Sequence, residues 1–161
     1  MSPVRTLWRM TWQDRLILGE AIVWLAIAGL ITAVVPFRHF GVLAARPVRK
    51  LPPADEARNL MRTQIRWAIV TAARRVPWRA LCIQQGLAAQ FMLRRRGVPS
   101  VLYYGAALRE GDLKAHVWVR DGNIDVIGGE AASRYALLAR FPAQCKTAVT
   151  SRNSKSMHQS N

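Results

Sequence analysis

Two side chains of this sequence could together perform nucleophilic catalysis: a cysteine near the start of a predicted helix and a histidine on a predicted strand. Pro77 ends any preceding helix and the Gly-Val-Pro segment at 97–99 ends the next one, so a helix is predicted over about residues 79–96. Cys82 then lies in its first turn, where unpaired N–H groups and the positive end of the helix dipole favour the thiolate form of a cysteine. A cysteine in an apolar helix is more often an inert small hydrophobic residue, so this position alone does not establish catalysis.

Catalysis by a thiolate needs a base, and histidine is the side chain whose unperturbed pKa suits that role near neutral pH. The chain has three histidines. His116 is the one in a predicted ordered core element, whereas His39 follows the N-terminal helix and His158 lies in the polar tail. His116 is therefore the candidate general base for Cys82.

After the cysteine helix the hydrophobic period changes from that of a helix to that of a strand, which indicates an antiparallel meander. On the middle strand His116 and Trp118 point to one face, while Val117 and Val119 point to the other and should face a covering layer. If the cysteine helix packs on the histidine face instead, His116 comes to the sulfur. The predicted strands are 98–108, 114–120 and 124–127, with turns at 109–112 and 121–123.

A third group usually orients the imidazole of a catalytic histidine. With a two-residue turn before the third strand, His116 would pair with Ile127 or Gly129, and either register puts Asp125 on the face of the histidine. A three-residue turn would move Asp125 to the opposite face. On the two-residue turn we predict Asp125 as the orienting carboxylate. The alternatives are Asp121, which turn chemistry explains more simply, Glu130 and a backbone carbonyl.

The order of elements predicts an α+β fold in which N-terminal helices precede a cysteine helix packed on the antiparallel meander. A cysteine at a helix start, followed by a histidine on a strand and an acid on the next, is the arrangement of papain-like and transglutaminase-like folds. A second helix is expected to begin with Asp55 as its N-cap, and a short helix is expected from Glu130 to Phe141. The predicted parts are an N-terminal apolar helix with its linker (1–50), the catalytic core (51–145) and a polar tail (146–161) expected to be disordered.

Three arginines, Arg58, Arg62 and Arg66, recur every four residues on the flank of the second helix. They form either a solvated helix face or a docking site for an acidic peptide or partner protein. The apolar stripe of the same helix is expected at Leu60 or Met61, Ile65, Ile69, Ala72 and Val76.

The composition limits the classes of function. The 161 residues carry a net charge of +15 but no basic repeat and no recognised nucleic-acid motif, so we expect no nucleic-acid binding. Two cysteines supply neither a disulfide framework nor a metal cluster, and they fit a reducing cytoplasm. We expect no cofactor and no metal ion.

Residues 16–35 form an apolar run of the length that just crosses a bilayer. Glu20 lies inside this run, and the arginines on both sides of it give no clear orientation. We favour a helix that is buried or apposed to a membrane surface, with a true span as the alternative.

Five short motifs surround the two candidate catalytic residues. They are Pro77-Trp78 ahead of Cys82, Leu93-Arg-Arg-Arg-Gly97, Tyr104-Gly105, Ala115-His116-Val-Trp118-Val and Asp121-Gly122. In these motifs the chain resembles the lasso-peptide leader peptidases, the transglutaminase-like B proteins of lasso-peptide biosynthesis. The resemblance covers about residues 75–130, and the apolar N-terminal helix ending in Pro-Phe-Arg (36–38) is also similar.

The resemblance implies a bacterial cysteine peptidase, with Cys82 as nucleophile and His116 as base, that removes the leader from a ribosomally synthesised precursor peptide. A separate ATP-dependent macrolactam synthetase would then close the ring. In such systems a small recognition domain binds the leader, but the residues before this catalytic region are predicted to be helices. We therefore expect a stand-alone peptidase that needs a separate leader-recognition protein. The family's acidic residue is expected near the end of the strand after His116, where this chain has Ile127-Gly128-Gly129.

Two other classes of function are alternatives to the peptidase. A transglutaminase-like protein could be an acyltransferase or a non-catalytic binding module, neither of which would cleave a precursor. The apolar run and the net charge of +15 are also typical of a basic protein bound to a membrane surface.

Overall fold

The computed structural model describes residues 11–35 and 54–142, which form three α-helices followed by a four-stranded antiparallel sheet. The predicted α+β fold class is confirmed. Cys145, the tail at 146–161 and most of the predicted linker lie outside the described residues. In chain order the elements are α1 (Trp12–Val34), α2 (Asp55–Ala73), α3 (Cys82–Arg95), β1 (Val101–Arg109), β2 (Asp112–Asp121), β3 (Ile124–Ile127), a 3-10 helix (Gly129–Arg134) and β4 (Ala136–Pro142).

Helix α1 begins at Trp12, four residues before the apolar run, because Thr11 caps it. Thr11 Oγ1 accepts a hydrogen bond from the N–H of Asp14 at 3.2 Å, and Asp14 Oδ2 accepts one from the N–H of Thr11 at 3.1 Å. This reciprocal capping box satisfies two backbone donors at the helix start. One stripe of the helix is buried in the core, at Leu18, Ala21, Leu25 and Ala28.

Helix α2 begins at Asp55, but its N-cap is Ala54, so the predicted N-cap was wrong by one residue. Asp55 lies instead in the first turn, where its carboxylate interacts favourably with the helix dipole. The predicted apolar stripe is confirmed at its centre, since Ile65, Ile69 and Ala72 are fully buried. At its ends Leu60 is exposed and Met61 and Val76 are half-buried.

The strand order in the sheet is β3-β2-β1-β4, and the three predicted strands are confirmed. Glu110 and Gly111 connect β1 to β2 and both have positive φ angles, of 53° and 82°, as a tight hairpin turn requires. Gly122 and Asn123 connect β2 to β3, because Asp121 pairs with Ile124.

The predicted helix from Glu130 to Phe141 is wrong. The segment forms the 3-10 helix and then β4, which pairs with β1 in antiparallel register from Ala106 to Val101. Pairing with β1 satisfies backbone N–H and C=O groups of both strands. Leu137 and Leu138 are both exposed, so the segment has no apolar side that a helix would have buried. A short apolar run does not distinguish a strand from a helix until its pairing partner is known.

Helix α3 packs on the valine face of β2. A Cβ added at Gly86 would lie 2.7 Å from Val117 Cγ1 and 3.7 Å from Val119 Cγ2, so the helix backbone approaches the sheet at this point. Glycine in a helix interior costs about 1 kcal/mol relative to alanine, and here its missing side chain permits the close approach. The prediction that Val117 and Val119 face a covering layer is confirmed, and both are buried.

Two of the three arginines of α2 are bound inward to Asp121, so the interpretation as a solvated helix face is wrong for Arg58 and Arg62. Docking of an acidic partner stays a prediction, and Arg66 is the exposed member of the three. Arg62 Nε donates to Asp121 Oδ2 at 2.8 Å, and Arg58 donates to both oxygens of the same carboxylate. The Asp121 side chain is 1% exposed and that of Arg62 is 9% exposed. Arg66 pairs with Glu130. These arginines therefore bind the helical layer to the sheet.

We predict that Asp121→Asn lowers the free energy of unfolding by about 3 kcal/mol, because it leaves two guanidinium groups facing an uncharged partner in a buried setting. Asp112→Asn is the matched control, since Asp112 pairs with Lys114 at the surface, and it should change stability by less than about 0.5 kcal/mol. Urea unfolding measures both variants. Equal losses in the free energy of unfolding would show that burial of the Asp121 pair adds nothing to its contribution to stability.

A second ion pair joins α1 to the end of α3. Glu20 accepts hydrogen bonds from Arg96 at 2.6 and 3.1 Å, and Arg95 Nε lies 3.5 Å from the same carboxylate. Burial alone raises the pKa of the Glu20 carboxyl, but the hydrogen bond from Arg96 and the charges of both arginines outweigh it, so the pKa is lowered from 4.5. The folded state therefore favours the carboxylate.

We predict that Glu20→Gln lowers stability at neutral pH by up to about 1 kcal/mol, since solvent screens this partly exposed pair. A lowered folded pKa stabilises the protein above the unfolded value and loses that contribution as pH falls through the folded value. The difference from wild type should therefore shrink below pH 4.5. Urea unfolding at pH 7 and at successively lower pH measures it, and a constant difference would contradict this assignment.

Candidate active site

Cys82 lies in the first turn of α3, as predicted, but the helix begins at Cys82 itself, three residues later than the predicted start at 79. The chain that leads into it is held by hydrogen bonds. Gln84 Oε1 accepts from the N–H of Leu81 at 3.1 Å, and Gln85 Nε2 donates to the carbonyl of Ala80 at 2.9 Å. Gln84 Nε2 also donates to Thr32 Oγ1 of α1 at 3.1 Å. The start of α3 is thus fixed both to the preceding segment and to α1.

The Cys82 thiol is half-buried and forms no disulfide. The N–H groups of Cys82 and Ile83 have no intrahelical acceptor, because the first N–H groups of an α-helix never do. Such groups, together with the helix dipole, can stabilise an anion next to the sulfur. The local geometry of Cys82 therefore suits a nucleophile with an oxyanion-binding group beside it.

His116 is half-buried, and its Nε2 lies 2.7 Å from the carbonyl oxygen of Gly128. A carbonyl can only accept, so Nε2 carries the proton and in the neutral ring Nδ1 holds the lone pair. The atom of His116 that could act as a general base is therefore Nδ1. The backbone carbonyl of Gly128 orients the ring.

Glycine is required at residue 128 for two reasons. Its φ angle is +76°, a left-handed conformation that side chains rarely adopt, and a Cβ at this position would lie 2.6 Å from the carbonyl oxygen of Val117. The close passage of Gly128 against β2 is what brings its own carbonyl to His116. The sequence signal for this feature was the Gly128-Gly129 pair in the position where an acid was expected.

His116 also belongs to a continuous stack on the side of the sheet away from α3, which we call the aromatic ladder. Neighbouring ring centroids are 5.0 to 6.0 Å apart, and the guanidinium carbon at each end lies 5.7 or 5.8 Å from the adjacent ring. Stacked rings and terminal cations stabilise such an arrangement. The ladder consists, in order, of Arg109, Tyr135, His116, Trp118, Tyr103 and Arg120.

Trp118 is the most buried ring of the aromatic ladder, with 5% of its surface exposed. A Cβ at Gly105 would lie 3.0 Å from two atoms of its ring, so glycine on β1 leaves the space that the indole occupies. Its Nε1 has no hydrogen-bond partner among the described residues. The indole therefore supports the His116 ring mainly through stacking.

The structure places Cys82 and His116 in different layers. Helix α3 contacts the Val117 face of β2, and the neighbouring residue His116 directs its ring to the opposite face. Within residues 11–35 and 54–142, no hydrogen bond joins the Cys82 sulfur to the imidazole. Strand alternation would bring His116 to the sulfur only if α3 packed on the histidine face of β2. Helix α3 packs on the other face, so this condition is not met.

Asp125 lies on the histidine face, and its carboxylate binds another residue. Asp125 pairs with Arg120 across the β2–β3 ladder, and its Oδ1 accepts from Arg120 Nε at 2.5 Å. Arg120 is four residues from His116, about 13 Å along the strand. No hydrogen bond of the described residues joins Asp125 to His116.

The two alternative carboxylates also have other partners. Asp121 is held by Arg58 and Arg62 on the helical side of the sheet. The pKa of Glu130 is lowered, first by a hydrogen bond from its own backbone N–H and then by Arg66, with a further contribution from the charge of nearby His116. Glu130 thus has Arg66 as its ion-pair partner.

Metal coordination finds no support among the described residues. In the ranges 11–35 and 54–142, no group of three or more His, Cys, Asp or Glu side chains could hold a metal ion.

Comparison with known proteins shows the family to which this sequence belongs. The family model of the transglutaminase-like superfamily matches residues 21–140, which include Cys82, His116 and all of the sheet except the last residues of β4. The chain belongs to the transglutaminase-like superfamily. Membership of this superfamily indicates a cysteine peptidase or an acyltransferase-like activity. The match begins at residue 21, within α1, so most of that helix belongs to the matched domain. No curated protein and no solved structure gives a significant match to the chain.

We predict that Gly128→Ala destabilises the protein by about 3 kcal/mol and shifts the NMR signals of the His116 ring, because the added methyl must move the backbone away from β2. Gly122→Ala is the matched control. Gly122 also has a positive φ, of 59°, but nothing lies within 4 Å of its added Cβ. It should lose only about 1 kcal/mol from backbone strain and leave the His116 signals unchanged. Similar ring shifts in both variants would disprove the role of the Gly128 carbonyl.

Proposed function

We propose that this transglutaminase-like protein is a cysteine peptidase that removes the leader from a lasso-peptide precursor, a ribosomally synthesised peptide, before macrolactam closure. The observation that carries the proposal is the position of Cys82 at the first residue of α3 in a domain of this superfamily. The motif Ala115-His116-Val-Trp118-Val and the segments around Cys82 support the lasso-peptide assignment through their resemblance to the leader peptidases.

In the proposed reaction Cys82 Sγ attacks the carbonyl carbon of the scissile peptide bond while His116 Nδ1 accepts the thiol proton. The N–H of Cys82 stabilises the oxyanion of the tetrahedral intermediate. His116 then gives its proton to the leaving amine as the C–N bond breaks, which leaves a thioester on Cys82. Water attacks the thioester with His116 as base, and the leader carboxylate and free thiol are released.

The proposed reaction requires the thiol and the imidazole to come within hydrogen-bond distance. Catalytic hydrogen bonds are often long before substrate binds, and the proposal assigns the approach of the two groups to binding of the precursor. For the third member of the set, the proposal has two candidates. Asp125 is the candidate from the strand register, and the Gly128 carbonyl is the group that binds His116 Nε2.

The proposed partners follow from the same resemblance. A separate leader-recognition protein would deliver the precursor, and an ATP-dependent macrolactam synthetase would use the product. The proposed reaction belongs to the cytoplasm, and the apolar helix α1 is compatible with association of the protein with a membrane.

The second candidate function is acyl transfer, which the superfamily membership supports equally well. It would use the same thioester on Cys82, with an amine replacing water as the acceptor. The two functions differ in their products. Hydrolysis yields a free carboxylate, whereas transfer yields a new amide whose mass includes the acceptor.

We predict that Cys82→Ala abolishes cleavage while leaving thermal unfolding nearly unchanged, since its side chain is not fully buried. His116→Ala should also abolish cleavage, and it should lower the unfolding temperature because it removes one ring from the aromatic ladder. Cys145→Ala is the matched cysteine control and should retain activity. Asp125→Asn should lower turnover by orders of magnitude if its carboxylate orients His116, and it should leave turnover unchanged if the Gly128 carbonyl does.

Mass spectrometry of a precursor incubated with this protein and its recognition protein measures these outcomes. An intact precursor at long times, in every combination of partners, would refute the peptidase. Activity that survives in His116→Ala but not in Cys82→Ala would show that another group is the base. A product that carries an added amine would establish the acyltransferase instead.

A further inference from the structure

Helix α1 has two apolar sides that point in opposite directions. The side with Leu18, Ala21, Leu25 and Ala28 is buried against α2 and α3. At 100° per residue, a second set of apolar residues lies within about 40° of a line on the opposite side. We call this set the outward stripe; it consists of Trp12, Leu16, Val23, Ile27, Leu30 and Val34, each between 37% and 71% exposed.

The outward stripe is long and carries no charge. Helix α1 has 23 residues, about 34 Å at the rise of an α-helix. Glu20 is the one charged residue between 16 and 34, and its carboxylate is bound by Arg96 of α3. The apolar surface therefore runs along the helix without a charged residue. It is larger than the single, scattered apolar residues of an ordinary protein surface.

The helix is long and apolar enough to cross a bilayer, with 28% of its most apolar window buried. Its inner side, however, holds the domain together through the buried stripe, the bond from Gln84 to Thr32 and the pair between Arg96 and Glu20. A spanning position would remove all of these contacts. A helix with one packed side and one exposed apolar side can instead lie in the plane of a membrane surface.

Charge distinguishes a lipid surface from a second copy of the chain. Each copy carries a net charge of +15, so two copies repel each other, whereas anionic headgroups attract the chain. Basic residues flank the apolar run in the sequence at Arg5, Arg9 and Arg15 before it and at Arg38, Arg46 and Arg49 after it. We propose that α1 is an interfacial helix whose outward stripe docks into the surface of a bilayer that contains anionic lipid.

The test is flotation of the full chain with vesicles of phosphatidylcholine alone and of phosphatidylcholine with roughly 30 mol % phosphatidylglycerol. We expect binding to the anionic vesicles, reduced by salt, and little binding to the neutral ones. The variant Val23→Gln, Leu30→Gln, Val34→Gln should bind about tenfold less. The matched control Leu108→Gln, Leu113→Gln, Leu137→Gln changes three exposed leucines of the sheet and should bind as wild type does.

Thermal unfolding without vesicles is measured in parallel, and if the triple variant is destabilised, the single Leu30→Gln variant replaces it. Equal vesicle binding by wild type and the α1 variant would overturn the proposal, as would binding that does not distinguish the two lipid compositions. A loss of dimer in the α1 variant without vesicle binding by wild type would show that a second copy covers the stripe. Resistance of the native protein to carbonate extraction from cell membranes would establish a span instead. None of these measurements depends on peptidase activity.

Discussion

The buried carboxylate of Asp121, at the end of β2, binds two arginines of α2 and so joins the helical layer to the sheet. Removing one partner of such a pair leaves an uncompensated charge in a low-dielectric setting. The pair therefore disfavours any packing of helices and sheet that breaks it, even where its net stabilisation is small. The β2–β3 hairpin that follows continues into Gly128, and the carbonyl of Gly128 holds the ring of His116. The position of His116 therefore depends on the ion pairs of Asp121 that hold α2 against the sheet.

The two faces of the sheet have different tasks. One face is apolar and lies under α3, which approaches it closely at Gly86. The other face carries the aromatic ladder, in which His116 is one of four stacked rings. The candidate nucleophile therefore lies at a helix start and the candidate base within the aromatic ladder, in separate layers. For a thiol and an imidazole to react as a pair in this domain, they must meet at the border between these layers.

Helix α1 connects the candidate site to the outer surface of the domain. Its Thr32 receives a hydrogen bond from Gln84, two residues beyond Cys82, and its Glu20 binds Arg96 at the far end of α3. The cysteine helix is therefore held at both ends by α1. A force on the outward stripe of α1, such as docking to a surface, would act on the helix that carries Cys82, because packed side chains and hydrogen bonds connect the two.

The sequence by itself determined the elements whose signals are local. Proline and glycine predicted the helix that carries Cys82, with its start three residues too early, alternation identified Val117 and Val119 as covered, and the segment 121–123 predicted the hairpin before Ile124. Only the tertiary structure decided which partners these elements have. It made residues 136–142 a strand through pairing with β1, turned Arg58 and Arg62 inward to Asp121, and gave His116 the carbonyl of Gly128. The physical reason is that these interactions join residues distant in sequence, or depend on which face of the sheet α3 covers, and local propensity contains neither kind of information.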